Sequence, residues 1–121
     1  IGNHLDDIPQ ILLRNDVELF ACPELLEEFE RTRQYPKLQK YLKPERVATT
    51  IELINAKAVV ISIAYRTADF TDSDDNYLLD LCQTVSADFL VTGDKPLLRL
   101  KLYGQTQILT YREFCELLGL K

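Results

Sequence analysis

The chain has 121 residues, 46% of them hydrophobic and 27% charged, with a net charge of −5. That length suits one domain (residues 1–121), the apolar share excludes a disordered chain, and the acidic balance argues against binding nucleic acid through overall charge. The longest apolar run, 56–65, is broken by Lys57 and falls well short of the roughly 18 residues of a membrane span, and no N-terminal segment has signal-peptide grammar; a soluble, cytoplasmic chain without membrane association is expected.

Leu5, Ile8, Leu12 and Leu13 carry a helical spacing over 5–15 despite Pro9, and Val17 to Ala21 alternates as a short strand. Pro23 is suited to the first turn of a helix whose apolar stripe is Leu25, Leu26 and Phe29. Pro36 stops or kinks that helix, and Leu38, Tyr41 and Leu42 predict another turn or two. Pro44 opens a helix to about Ala56 with Val47, Ile51 and Ile54 inward. The β-branched run 58–63 then reads as a strand covered on both faces.

A loop over 65–71 leads into Asp72-Ser73-Asp74-Asp75-Asn76-Tyr77-Leu78-Leu79, a helix start loaded with carboxylates, and the helix runs to about Ser86. Phe89-Leu90-Val91-Thr92 reads as a buried strand, and a short helix holds Leu97, Leu98 and Leu100. Tyr103-Gly104 makes a turn before a strand at 107–109. Thr110 and Glu113 form a capping box for the last helix, which Gly119 ends. Alternating helices and strands imply a mostly parallel sheet between helical layers, a three-layer α/β/α fold.

Cys22, Cys82 and Cys115 form no C-x-x-C pair and sit in apolar stretches, so reduced, buried thiols are expected in place of a zinc site. The single histidine, His4, lies in a polar turn with no nucleophile pointing to it. From Arg31 to Arg46 six basic residues face one acid, Glu45; they form either a solvated helical face or an arm that meets phosphate or an acidic partner.

Each acid has an ordinary explanation on its own. Asp72, Asp74 and Asp75 can complement a helix N-terminus, Asp94 can cap the helix that opens at Lys95-Pro96, and Glu28 can be one solvated acid among four in its helix. An EF-hand loop starting at Asp72 fails, because its sixth position would be Tyr77 and its twelfth Gln83. Taken together, however, acids stand on an early helix, at a second helix start and at a strand end. In an α/β sheet, strand C-termini and helix N-termini open on the crevice where ligands bind, and gathered carboxylates suit a hard divalent cation.

The sequence resembles the PIN domain family of metal-dependent ribonucleases, and within it the branch of toxin components of bacterial toxin–antitoxin pairs. The residues that carry the resemblance are 22–29, 36–38, 41–42, 72–79, 87–98 and 108–114, the stretch from Asp72 to Leu98 being the most specific. It implies Glu28, Asp75 and Asp94 as catalytic, metal-binding acids for Mg²⁺ or Mn²⁺, with Asp72 as a further ligand and Asp74 in support. Thr92 would orient a water or a phosphate beside them, and Arg31, Arg33, Lys37 and Lys40 would meet RNA or a partner.

The family begins with a central strand ending in Asp-Thr-Asn, whose Asp is another ligand; no such motif occurs here, and Asp6 and Asp7 lie in the helix that normally follows it. The expectation is therefore a PIN-like fold lacking its first strand, with RNA hydrolysis in the intact form and little or none in this chain. An RNA substrate, a cognate antitoxin protein and self-association are the partners implied. The competing reading is a PIN-like protein-interaction module without catalysis.

Overall fold

The computed structural model describes residues 8–32, 34, 44–63 and 75–119, arranged as two units, Ile1–Ser62 and Ile63–Lys121. The expected turns at Leu38, Tyr41 and Leu42 lie outside the described residues, as do the loop at 65–71 and His4.

In the first unit, helix α1 (Ile8–Leu12) packs on helix α3 (Pro44–Lys57). α3 matches the sequence reading closely, because Ile51 and Ile54 recur at helical spacing and both are buried, with Thr50 beside them. Strand β1 (Phe20–Ala21) leads through the fully buried Cys22 into helix α2 (Pro23–Thr32), where the Leu26 N–H donates to the Cys22 carbonyl at 3.1 Å. β1 lies parallel to strand β2 (Val59–Val60), with Phe20 opposite Val59 and Ala21 opposite Val60. Bonds from the Val59 and Ile61 amides to the Leu19 and Ala21 carbonyls, both 2.8 Å, extend the ladder at each end.

The expectation that the 58–63 strand is covered on both faces does not hold. Only Val59 and Val60 pair in register with β1, and they are 40% and 49% exposed. A parallel strand is buried on both sides only where helices cover both, and nothing among the described residues does so for β2.

In the second unit, helix α4 (Tyr77–Val85) and strand β3 (Phe89–Val91) are followed by helix α5 (Lys95–Leu98), the hairpin β4 (Leu102–Tyr103) and β5 (Thr106–Leu109), and helix α6 (Tyr111–Leu117). The strand order is β3-β5-β4, with β3 parallel and β4 antiparallel to β5. The α/β class with parallel strand pairs and intervening helices is as expected; the antiparallel β4 is an addition to it. Gly104, at φ +60°, takes the first central position of the two-residue hairpin turn, where a positive φ is needed for strands of normal twist.

Three polar ties bind this hairpin to the end of α4. Gln105 donates to the Ser86 carbonyl at 2.6 Å, Thr106 donates its hydroxyl to the Ala87 carbonyl at 2.7 Å, and the Thr106 hydroxyl also bonds the Cys82 thiol. Ser86 ends α4 in the left-handed conformation, and the Ala87 amide reaches back to the Cys82 carbonyl at 3.0 Å, a Schellman-type closure. Leu79 and Leu97 are fully buried in this unit's core, with Ile108, Leu109 and Cys115 nearly so.

The reading of β3 as a buried strand is also corrected. Phe89 and Val91 are 41% and 37% exposed, two residues apart and therefore on one face of β3, which is also the edge strand of the described sheet. Phe89 still rests on Phe114 of α6, ring centroids 5.6 Å apart.

Candidate functional site

The C-terminal end of β3 builds the best-defined part of the site. Thr92 continues the parallel ladder, its amide donating to the Leu109 carbonyl at 3.0 Å, and the chain then turns sharply. The Thr92 hydroxyl accepts the Asp94 amide proton at 3.0 Å, which fixes the turn. Asp94 is extended (φ −74°, ψ 116°) and caps α5, Oδ2 accepting from the Leu97 amide at 3.1 Å. Pro96 stands in the first turn of α5, where a missing N–H costs nothing. Oδ1 of Asp94 accepts no hydrogen bond among the described residues, and the side chain is half-buried. A carboxylate offers about four acceptor sites, so capping leaves most of its capacity open.

Gly93 faces open space, since an added Cβ would meet nothing within 4 Å. The turn is therefore held by the Thr92 and Asp94 bonds, without help from glycine's freedom.

Asp75 sits just before α4, half-buried, its carbonyl accepting from the Leu78 amide at 2.9 Å. The helix itself starts at Tyr77 with Asn76 in the N-cap position, and the Asn76 side chain makes no capping bond. The connection from α4 to β3 is short (86–88), and the two elements are in contact, so α4 runs back along β3. The start of α4 and the end of β3 consequently share one end of the unit. Asp75 and Asp94 both belong to that end.

Glu28 is in the first unit, half-buried on α2 one turn after Glu24, whereas Glu27 and Glu30 are exposed. Asp72 and Asp74 lie outside the described residues, as do Arg33, Lys37 and Lys40; Arg31 is exposed in the last turn of α2. Among the described residues, no three His, Cys, Asp or Glu side chains gather as a metal-binding group.

The structure adds one acid that the sequence reading passed over. Asp80 is buried to 6% exposure in α4, inside the run Leu78-Leu79-Asp80-Leu81-Cys82. Its only signal was a charge embedded in an apolar stretch, which calls for a partner, and Asp80 does have one.

All three cysteines are free and buried, as expected. Burial pushes the Cys82 thiol up to about 11, opposed by its bond to the Thr106 hydroxyl. A thiol held that high is protonated at neutral pH and is no nucleophile.

No described helix is long and apolar enough to cross a membrane. The sequence matches the family model described as PIN domain over residues 3–96, a span that contains Glu28, Asp75, Thr92 and Asp94 and ends inside α5. No curated protein and no solved structure matches the chain.

Proposed function

The chain belongs to the PIN domain family, whose members are generally hydrolytic nucleases, and on that premise we propose that it is a metal-dependent endoribonuclease, the toxin component of a type II toxin–antitoxin pair. Family membership implies a nuclease-type function, action on nucleic acid and use of a divalent ion. The single observation that carries the finer reading is Asp94, held by Thr92 and by the α5 amide while Oδ1 stays uncommitted at the end of β3.

The candidate acids fit Mg²⁺ or Mn²⁺ in kind, because their donors are all hard oxygens. By the family resemblance Glu28, Asp75 and Asp94 would hold the ion, with Asp72 as a further ligand and Asp74 in support. When bound, such an ion supplies polarisation of the phosphodiester and a nucleophilic water. The protein's part is positional. Asp94 is oriented by the Leu97 amide at one oxygen and presents the other. The Thr92 hydroxyl, already accepting from the Asp94 amide, retains its own proton to donate to a water or a phosphate oxygen. Arg31, Arg33, Lys37 and Lys40 offset the repulsion between acids and RNA. An antitoxin protein and a second copy of the chain are the protein partners in this reading, and the cytoplasm its location.

The test is RNA cleavage by protein expressed from its complete coding sequence, with and without EDTA. Cleavage that EDTA abolishes and excess Mn²⁺ restores is expected. Cleavage undiminished by chelator would remove the mechanism. The exposed Phe89 and Val91 on the β3 edge favour a second reading, a PIN-like protein-interaction module without catalysis. Failure of the same protein to bind Mn²⁺ in calorimetry would select that module.

A further inference from the structure

Four basic residues occur in the described part of the second unit: Lys95, Arg99, Lys101 and Arg112. Arg112 is matched by Glu116, one turn along α6 at 3.8 Å. Lys95, Arg99 and Lys101 are all exposed and form no ion pair among the described residues. They fall within the stretch 95–101, which contains no acid, so a local charge of +3 stands in a chain whose net charge is −5.

The backbone beneath these side chains is fixed. Leu97 anchors α5 with no exposed surface, and the Arg99 amide donates to the Lys95 carbonyl at 3.0 Å, which puts the two cations one helical turn apart on one side. Lys101 takes a left-handed conformation (φ 61°), its amide donating to the Leu98 carbonyl at 3.2 Å and its carbonyl accepting from the Ile108 amide at 2.8 Å. The same helix is capped by Asp94. Exposed cations that pair with no acid among the described residues, on a rigid support beside a candidate catalytic acid, suit a polyanion whose reacting group must lie at that acid.

We infer that Lys95, Arg99 and Lys101 form a contact for the phosphate backbone of a single RNA strand running past Asp94. The inference rests on the nuclease reading and extends it to the path of the substrate. Arg99 can grip a phosphate through two parallel N–H bonds, while the two lysines act as point charges. The contact is electrostatic, so it is blind to base sequence and weakens with salt.

The experiment measures binding of a fluorescein-labelled single-stranded uridine oligonucleotide across a salt series, in an Asp94→Asn background that limits cutting. Substituting Lys95, Arg99 and Lys101 together by Gln should lower the slope of log affinity against log salt by about 2, each single-strand phosphate contact contributing about 0.7. The charge-preserving set Lys95→Arg, Arg99→Lys, Lys101→Arg should keep the slope, and Arg112→Gln should leave it unchanged. If the triple neutral variant does not fold, Lys95→Gln and Arg99→Gln are measured singly, each expected to lose about 0.7 of slope. An unchanged slope in a protein whose parent cleaves RNA overturns this inference and leaves the nuclease reading intact. A parent that neither binds nor cleaves RNA overturns both, and an acidic protein would then be the polyanion to try on this surface.

Discussion

Asp94 caps α5 and is proposed to hold the metal ion, and two substitutions separate these roles. Its Oδ2 caps α5 through the Leu97 amide at 3.1 Å, in a half-buried turn also held by Thr92. Removing a capping carboxylate to Ala typically costs about 1 kcal/mol, whereas Asn caps about as well as Asp. α5 spans only Lys95–Leu98, so the charge contributes little through the helix dipole. Asp94→Ala should therefore lose about 1 kcal/mol and Asp94→Asn a few tenths. Against a typical total of about 5–15 kcal/mol neither variant unfolds. With a urea dependence of about 1–3 kcal/mol per molar, the Ala variant's midpoint should fall by about 0.3–1 M.

Catalysis should respond differently. Both variants remove the negative charge of the proposed metal ligand, so RNA cleavage should drop together, by more than about 100-fold, since even outer partners of metal ligands cost about 10–100-fold when removed. The paired assay is urea unfolding followed by fluorescence and cleavage of a quenched RNA reporter with Mn²⁺ present. Cleavage by Asp94→Asn at the parent rate would show that the carboxylate takes no part in the chemistry. Equal midpoints for the Ala and Asn variants would show that the capping bond contributes nothing.

Gly104→Ala should destabilise by about 1–2 kcal/mol, because φ +60° crowds a Cβ against the backbone; the Gln83 amide that the Cβ would meet at 2.6 Å can swing away, so strain at the turn is the cause, and an unchanged urea midpoint would refute it. Bonds from the Thr110 amide and hydroxyl hold the Glu113 carboxyl below its ordinary range, so this group adds stability above the unfolded value of about 4.3 and loses it as pH falls through the lower folded value. Glu113→Gln keeps an acceptor for the cap but should flatten that acid limb in urea titrations between about pH 5 and 3, and an unaltered limb would contradict the assignment. Cys22, Cys82 and Cys115 are all buried and the Cys82 thiol stands at about 11, so iodoacetamide at neutral pH should label none of them until the chain is unfolded.

Local chemistry made parts of this fold legible. Thr110 followed three residues later by Glu113 reads as a capping box and forms one, with bonds of 2.9 and 3.2 Å in the two directions. Pro44 and the spacing of Ile51 and Ile54 define α3 to within a residue of its observed end at Lys57. Such signals work because the partners are near in sequence. β4 had no such signal: two residues, Leu102 and Tyr103, have no readable period, and they become a strand only by pairing back across Gly104. Burial of β2 and β3 was misjudged for a related reason. An apolar run reports what a strand prefers, whereas exposure of Val59, Val60, Phe89 and Val91 depends on what lies beside it.

The acids show a deeper limit of pattern reading. Capping and metal binding stood as rival explanations of Asp94 when only residue types were visible, because both call for an acid at the same place. In the structure the two are compatible, since Oδ2 caps and Oδ1 accepts no hydrogen bond among the described residues. A capping acid can thus be the one most firmly oriented for another task, with its rotamer set by the helix it closes and its amide held by Thr92. Asp80 marks the opposite case. Its place in an apolar helix was its only signal and no motif drew attention to it, yet it is the most buried of the described acids in its unit. A polar group in that position needs partners that folding supplies, and Asp80 has one. The chemistry of an acid therefore follows from which of its oxygens the fold leaves unused, a property that only the assembled backbone can set.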